Sequence, residues 1–257
     1  MNHISAVIIT KNEEKNIKDC LKSLDFVEEI IVVDTESSDK TVKVAKRFTE
    51  KVYLRTLDNY ANQKNFGISK AKNEWILSVD ADERVSDKLK KEILSKNLNK
   101  DGYFIPIKNY FLGRWLKYGG QYPDYHLRLF KKSKGRFYSK IKQVHEGVSL
   151  NSRNAGKLNC SILHYSYPNI SFYFEKFNRY TYLDALGRFQ NHLKPSIYGV
   201  FIRPIYRFIK WYILKLGALD GISGLLFHIF SAFYIFASEI KLLELYKFNL
   251  KVLKWRS

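Results

Sequence analysis

Two carboxylates, Asp80 and Asp82, follow the apolar run Trp75-Ile76-Leu77 and are separated by a single residue. A β-like run that ends in this way puts both acids at the carboxyl end of a strand, where α/β sheets open their ligand crevice. Carboxylate oxygens placed there can hold a divalent cation together with a diphosphate. Alternate acids are also typical of a solvated turn, so the spacing alone leaves both interpretations open.

The segments around this pair alternate between strand and helix patterns. Apolar runs predict strands at residues 6–10, 30–34, 52–54 and 75–79, and helical spacing predicts helices at residues 17–24, 39–48 and 60–71. Asp39 is expected to cap the second of these helices. The alternation predicts βαβ units, and therefore an α/β fold with a mostly parallel sheet.

Thr10 and Asp34 are expected to lie near Asp80, because each ends a predicted strand and parallel strands share one carboxyl edge. An acid at the end of the second strand can accept hydrogen bonds from the base or ribose of a nucleotide. Asp34 could instead be a turn or helix-capping residue.

The chain is strongly basic, with 44 Lys and Arg against 25 Asp and Glu in 257 residues and a formal net charge of +19. Such a charge attracts anionic partners: nucleotides, phosphorylated glycans, acidic lipid head groups or nucleic acid. A nucleic-acid-binding protein would place its basic clusters in a known binding motif, and the sequence contains none. The two cysteines, Cys20 and Cys160, lack metal-ligand spacing and are expected to be reduced thiols.

Four segments in order resemble the N-terminal half of the inverting family 2 glycosyltransferases, which have the GT-A fold: VIITKNEEKNI, IIVVDTESSDKT, ANQKNFGISKA and EWILSVDADE. The later segments FLGRWLKYGGQYPDYHLRLFKK and VHEGV are similar to the bacterial branch of the lipopolysaccharide core glucosyltransferases. The resemblance covers roughly residues 4–165. It implies a metal-dependent hexosyltransferase that uses a nucleotide-sugar donor, UDP-sugar by default or GDP-sugar, and a lipopolysaccharide-core or other lipid-linked glycan acceptor.

The resemblance implies a donor site built from the first three strand ends. Thr10, Asn12 and Glu13 match the family's first loop, which touches the nucleotide, and Asp34 matches the acid that meets the base or ribose. Lys64 stands where the family usually has arginine, and it is expected to contact the diphosphate or the base. Lysine supplies a point charge, whereas arginine supplies a planar fork.

The resemblance also implies metal ligands and a catalytic base. Asp80 and Asp82 match the Asp-x-Asp motif, with Asp82 the direct ligand of Mg²⁺ or Mn²⁺ and Asp80 near the ribose and a metal-bound water. His164 could complete the metal shell, or it could be a hydrogen-bonded core or hinge histidine. Glu146, in the Val-His-Glu motif, is assigned as the general base, and Arg128 could contact the donor phosphates or hold a loop.

Inverting transfer needs one carboxylate to take the acceptor proton while a metal neutralises the leaving diphosphate, whereas a glycoside hydrolase needs an acid and a base. Two alternatives stay open at this point. One is a nucleotide-binding glycosyltransferase-like protein without turnover, and the other is a basic protein that binds nucleic acid or membranes.

The domain division predicted from the pattern is a glycosyltransferase domain at residues 1–168, with a donor half 1–100 and an acceptor half 101–168, followed by a helical region at 169–257. From Pro195 onward the sequence has nine Lys and Arg but only three Asp and Glu. Arg203, Arg207 and Lys210 are spaced so that they fall on one helix face. The apolar stretch 222–237 is short of the roughly 20 residues that span a bilayer. These features predict docking on an anionic membrane surface; burial within a helical subdomain or a homo-oligomer interface is the alternative.

The N-terminus runs directly into the first strand pattern and has no signal-peptide pattern. We therefore expect a cytoplasmic protein that is peripheral on the inner face of the inner membrane.

Overall fold

The computed structural model describes residues 3–141, 145–167 and 169–248, without the side chains of residues 139–141, 145, 146 and 248. The chain divides into two compact units. The first contains Met1–Tyr110 and Pro123–Ser166, and the second contains Phe111–Tyr122 and Tyr167–Ser257. Residues 111–122, which the sequence pattern assigns to the acceptor half, therefore group with the C-terminal helices.

The strands are β1 (Ile4–Thr10), β2 (Glu29–Asp34), β3 (Val52–Leu54), β4 (Trp75–Asp80), β5 (Glu83–Val85), β6 (Gly102–Phe111), β7 (Arg114–Trp115), β8 (Asp124–Lys131), β9 (Gly135–Ile141), β10 (His145–Leu150), β11 (Ala155–Lys157) and β12 (Ile162–Tyr167). The α-helices are α1 (Ile17–Lys22), α2 (Thr41–Ala45), α3 (Tyr60–Ser69), α4 (Asp87–Ser95), α5 (Ile170–Gln190), α6 (Arg203–Phe208) and α7 (Gly221–Phe248).

The main sheet has the strand order β3-β2-β1-β4-β8-β6-β12-β5, and β11 pairs with β6. Strands β3, β2, β1 and β4 are parallel to one another, whereas β8 pairs antiparallel with both β4 and β6. The α/β fold class predicted from the sequence is confirmed. In the register, Thr10 lies beside Asp34, and Ile9 lies beside Asp80, so the three strand ends do meet at one edge.

The strands form a sheet because their side chains are apolar on both faces and helices cover them. The larger core cluster joins Ile8 and Leu77 to Leu21 of α1 and Leu89 of α4. Helix α3 approaches β1 closely at Gly67, where a Cβ atom would come within 2.5 Å of Val7 Cγ1. A side chain at this position would therefore push α3, and the site residues it carries, away from the sheet.

Asp39 does not occupy the N-cap position expected from the sequence, because α2 begins at Thr41, two residues later than Asp39. The Asp39 carboxylate instead accepts hydrogen bonds from the backbone N–H groups of Thr41 (2.9 Å) and Glu14 (3.1 Å). Asp39 thus links the loop after β1 to the start of α2.

The second unit is helical and contains two π-helical turns, Tyr198–Ile202 and Ile209–Leu214, on either side of α6. Helices α5 and α7 pack together through aromatic side chains such as Tyr173 and Phe230, whose rings stack at 5.0 Å. In the described part of the chain, one helical stretch, Gly217–Lys247, is long and apolar enough to cross a membrane by length and composition. The sequence pattern had predicted a shorter apolar segment there.

Candidate active site

Asp80, at the end of β4, is held by two cations from neighbouring elements. Lys64 of α3 places its Nζ atom 2.8 Å from Oδ1, and Arg128 of β8 places Nη2 3.0 Å from Oδ2. Burial alone would raise the pKa of Asp80, but the charges of Lys64 and Arg128 outweigh burial and hold that pKa well below its usual range. Asp80 is therefore an ionised carboxylate at neutral pH.

Glu83, three residues after Asp80, contacts both Asp80 and Arg128. No role was assigned to it from the sequence. Its side chain is fully buried, and Oε1 accepts a 2.6 Å hydrogen bond from Arg128. Its Oε2 accepts a 2.8 Å hydrogen bond from the backbone N–H of Asp80. Burial raises the pKa of Glu83, although Arg128 opposes this effect. Glu83 thus fixes both the backbone and one cationic partner of Asp80.

Asp82 and His164 form a second pair, with 3.4 Å between Oδ2 and Nε2. Strand β12 pairs antiparallel with β5, which places His164 beside Glu83 in the register. The Tyr165 N–H donates to the carbonyl of Asp82 at 3.0 Å, so β12 also holds the turn itself. Burial alone would lower the pKa of His164, but the carboxylate of Asp82 outweighs burial, and the pKa is raised.

The donors of this pair fit a hard divalent cation. Two ligands about 2.1 Å from an octahedral ion are separated by roughly 3.0 Å. The observed 3.4 Å is slightly longer, so the two side chains would move closer together on binding such an ion. Nδ1 of His164 lies 3.0 Å from the amide oxygen of Asn109, which can only accept. In the neutral ring, a proton on Nδ1 donated to Asn109 leaves Nε2 as the atom that could bind a metal. The Ser166 hydroxyl lies 3.0 Å from both ring nitrogens.

No three His, Cys, Asp or Glu side chains group together as a metal site within the residues that the structure describes. An ion at Asp82 and His164 would need further oxygen ligands from the donor diphosphate and water, as Mg²⁺ sites commonly do. Asp80 is the remaining predicted ligand, and the two cations already paired with it make it a structural acid of the site in this state.

The loops after β1 and β2 are tied to each other. Asp34 accepts hydrogen bonds from the Ser37 N–H (2.7 Å) and the Ser37 hydroxyl (2.6 Å), which is the turn role left open from the sequence. Asn12 adopts a positive φ of 55° and accepts a 2.8 Å hydrogen bond from the Ser38 N–H. The Glu13 N–H donates to the Thr41 hydroxyl at 2.8 Å. These contacts shape the loop pair before any nucleotide arrives.

The Thr10 hydroxyl oxygen is buried and has no hydrogen-bond partner among the described residues. It lies at the strand end beside Asp34. An unpartnered buried hydroxyl costs stability, so a position that keeps one is a place where a ligand can supply the missing hydrogen bond.

The side chain of Glu146, the predicted base, lies outside the described residues, although its backbone belongs to β10. Strand β10 pairs only with β9 in a separate two-stranded sheet. This hairpin docks on α3 through Asn65, whose side chain donates to the Phe137 carbonyl (2.9 Å) and accepts from the Phe137 N–H (3.0 Å). The Phe137 ring lies 5.0 Å from the Lys64 ammonium, so the hairpin also contacts the donor site.

The two predicted thiols are free cysteines, with Cys20 buried and Cys160 partly buried. Burial raises the pKa of both thiols, which keeps them protonated. The Cys20 thiol donates to the backbone carbonyl of Asp80 at 3.5 Å, so Cys20 packs against the site as a neutral group.

Strands β3, β2, β1 and β4 form a parallel half-sheet with acids at its carboxyl edge, which is the edge at which α/β proteins bind their ligands. Two cations and a carboxylate–histidine pair at this edge define an α/β protein with a charged candidate ligand site. The model of the family described as "Glycosyl transferase family 2" matches residues 5–181 of the chain. The chain belongs to this family, and it is a glycosyltransferase.

Relatives along nearly the whole chain agree with this assignment. A protein of Rickettsia bellii described as an uncharacterized glycosyltransferase is 32% identical over 254 residues, which cover 94% of this chain and 86% of the relative. The lipopolysaccharide core biosynthesis glycosyltransferase LpsC of Rhizobium meliloti is 26% identical over 249 residues, which cover 94% and 92%. Among solved structures, S. aureus TarS in complex with UDP-GlcNAc superimposes with a TM-score of 0.50 at 15% identity, over 98% of this chain and 93% of that one, and shares the fold.

Proposed function

We propose that this protein is an inverting, divalent-metal-dependent glycosyltransferase that moves a hexose from a nucleotide sugar to the core glycan of lipopolysaccharide or another lipid-linked glycan. One observation supports the proposed donor site most directly: the Asp80 carboxylate lies between Lys64 and Arg128, next to the Asp82–His164 pair. Two cations beside a candidate metal pair form an electrostatic setting suited to a diphosphate.

Each residue near the donor has a distinct part. Asp82 and His164 would hold Mg²⁺ or Mn²⁺, which when bound supplies positive charge to the leaving diphosphate. Lys64 and Arg128 are both held by ion pairs with Asp80, so their positive charges are fixed beside the proposed diphosphate position. They would stabilise the phosphate oxygens without having to reorganise. Asp34 and the loop after β1 would receive the nucleoside, with the Thr10 hydroxyl free to take part.

The reaction at the acceptor needs one base. The acceptor oxygen attacks the anomeric carbon from the face opposite the diphosphate, and the carbon–oxygen bond to the diphosphate breaks with its electron pair leaving on the phosphate. Glu146 takes the proton of the acceptor hydroxyl. The Asn65 contact supports this assignment, because it fixes the hairpin that carries Glu146 to the helix that carries Lys64.

The choice of substrates rests on the relatives. LpsC is named for lipopolysaccharide core biosynthesis, and its similarity extends over 94% of this chain, which supports a core-type acceptor. TarS shares the fold and was crystallised with UDP-GlcNAc, which supports a UDP-sugar as the donor ahead of a GDP-sugar.

Turnover with defined substrates tests the proposal. Purified protein with Mn²⁺ is incubated with UDP- and GDP-hexoses and a truncated lipopolysaccharide acceptor, and glycosylated product is measured by mass spectrometry. We expect Glu146→Gln to lower kcat by ~10²–10⁴-fold at nearly unchanged donor affinity, and the exposed-acid control Glu50→Gln to match wild type. Nucleotide binding without transfer from any of these donors would favour the alternative of a binding protein without turnover.

A further inference from the structure

The second unit carries a concentrated apolar surface, which we call the 197–222 surface. Of the 23 large apolar or aromatic side chains that are exposed in the described chain, 12 lie between residues 197 and 222. The most exposed are Ile197 (80%), Ile222 (75%), Leu214 (68%) and Phe201 (60%). Scattered exposed leucines are ordinary, but a cluster of this density marks a binding surface.

The same stretch of sequence is predominantly cationic. Between residues 197 and 222 the chain has four Lys and Arg and one acid, Asp220, which is buried. The aromatic residues Tyr198 and Tyr206 are exposed among them. Tyrosine beside lysine and arginine is the composition found at membrane–water interfaces, where the ring spans the boundary and the cation meets phosphate.

The contacts of the individual cations revise the three-residue patch predicted from the sequence. Arg207 donates to the Ser231 hydroxyl at 3.0 Å and lies 4.7 Å over the Trp211 ring, and Arg203 lies 3.7 Å from the buried Glu239. These two arginines are thus partly engaged inside the unit. Lys210 lies over aromatic rings, 5.4 Å from the centre of the Tyr206 ring, and forms no ion pair with an acid in the part of the chain that the structure describes.

Helix α7 extends the apolar surface. Its exposed residues Ile222, Ile229, Phe233 and Ile240 follow one another at intervals of seven, four and seven, so they share one face over about 27 Å. Only 22% of the most apolar window of the Gly217–Lys247 stretch is buried. A helix in a folded soluble unit would ordinarily bury far more of such a window.

Polar contacts join α7 to its neighbours in the helical unit. Glu239 is fully buried and accepts a 2.6 Å hydrogen bond from Arg188 of α5, and Lys241 donates to the Asn178 carbonyl of α5 at 2.8 Å. Ser231 receives the Arg207 hydrogen bond from α6. Because these pairs would be costly to expose to hydrocarbon, they favour a unit that lies on a bilayer over a helix that leaves the unit to cross it.

We propose that the 197–222 surface docks the protein on an anionic lipid bilayer, with its apolar side chains at the boundary of head groups and acyl chains and its lysines at the phosphates. A second copy of the chain is disfavoured as the occupant, because a symmetric contact would bring two cationic segments, whose one acid Asp220 is buried, face to face. The proposal does not depend on the reaction proposed above, since docking requires no turnover.

Vesicle flotation with the full chain tests the docking. The probes are vesicles of phosphatidylglycerol with phosphatidylethanolamine, and vesicles of phosphatidylcholine alone, at low and high salt. We expect binding to the anionic vesicles that weakens with salt. The apolar variant Ile197→Ser/Phe201→Ser/Leu214→Ser should bind at least tenfold more weakly, and Lys210→Gln/Lys215→Gln should lose roughly fivefold per lysine.

The matched control is Leu54→Ser/Leu94→Ser, which removes exposed leucines from the first unit and should bind like wild type. Circular dichroism and UDP binding verify that every variant is folded, because the substituted side chains are exposed. Absence of vesicle binding by wild type overturns the proposal, and so does equal binding by the apolar variant. A wild-type dimer in solution that the apolar variant converts to monomer would assign the surface to a second copy and overturn the proposal as well.

Discussion

Lys64 reaches Asp80 from helix α3, with 2.8 Å between the ammonium nitrogen and one carboxylate oxygen, while only 2% of the lysine side chain is exposed. A buried lysine beside a strand-end acid is an ion pair that fixes both groups, and removing one partner leaves the other uncompensated. The pair therefore links the stability of the first unit to the geometry of the donor site.

Lys64→Met should lower both the stability of the first unit and the affinity for the donor. We expect the free energy of unfolding to fall by about 2 kcal/mol, less than for a fully buried pair, because 29% of the Asp80 side chain is exposed. Donor affinity should fall at least tenfold, since one of two cations near the diphosphate is lost. Urea unfolding and calorimetry with UDP measure the two effects. Lys64→Arg keeps the charge and should retain most of the affinity; equal donor affinity in Lys64→Met would separate the pair from the donor site.

Glu83→Gln tests the support beneath Asp80. Glutamine keeps the size but has one acceptor atom in place of two, so either Arg128 or the Asp80 N–H loses its partner. The cost should be about 1–3 kcal/mol in unfolding free energy, with a raised KM for the donor. Asp87→Asn, an exposed acid at the start of α4, is the control. A variant as stable and active as wild type would show that Asp80 holds its position without Glu83.

Asn65→Asp tests the hairpin anchor. Aspartate can accept from the Phe137 N–H but cannot donate to its carbonyl, so one of the two hydrogen bonds is lost. We expect faster hydrogen exchange in β9 and β10 and a lower kcat, with donor affinity almost unchanged. Ser69→Ala, an exposed change on the same helix, should alter neither quantity. Unchanged exchange in the hairpin would contradict an anchoring role for Asn65.

Glu29, which lies away from the candidate active site, should make the free energy of unfolding fall in acid. Burial alone would raise the pKa of Glu29, but hydrogen bonds from Lys51, Ser5 and the Lys72 N–H outweigh burial and lower it. A group with a lowered pKa stabilises the fold above its unfolded pKa of about 4.3, and this stabilisation is lost as the pH falls through the folded pKa.

Unfolding measured from neutral pH downward should therefore show a loss of stability below about pH 4 that is smaller in Glu29→Gln. The variant should be less stable than wild type at neutral pH, because Lys51 loses its charged partner. Glu50→Gln should follow wild type throughout. Parallel stability curves for wild type and Glu29→Gln would exclude Glu29 as the titrating group.

Most of the donor half of the fold follows from local sequence patterns. Strand β2, for example, was predicted at residues 30–34 and is observed at Glu29–Asp34, because a run of Ile and Val reports burial on both faces. The convergence of Thr10, Asp34 and Asp80 followed from parallel topology alone. The strand positions depend on residues close together in the chain, and the meeting of the distant strand ends follows from the parallel order of those strands.

Specific side-chain contacts between residues far apart in the chain could not be predicted from local sequence patterns. Asp220 is buried and accepts hydrogen bonds from the backbone N–H groups of Lys117 (3.1 Å) and Tyr118 (2.9 Å), about a hundred residues earlier. The glycine-rich loop at residues 113–120 is therefore anchored within the second unit. Glu83 escaped notice for a different reason, since a third acid after Asp-x-Asp looks like a continuation of a solvated turn.

The proposed function places a metal-dependent nucleotide site at Asp82 and His164, at the end of β4. Calorimetric titration of UDP into the protein, with Mn²⁺ and then with EDTA, tests this site most directly, using wild type, Asp82→Asn, His164→Gln and the control Asp87→Asn. We expect tight binding that requires Mn²⁺ in wild type and the control, loss of that binding in Asp82→Asn and weaker binding in His164→Gln. Equal UDP affinity in Mn²⁺ and EDTA, or an Asp82→Asn variant that binds like wild type, would contradict it.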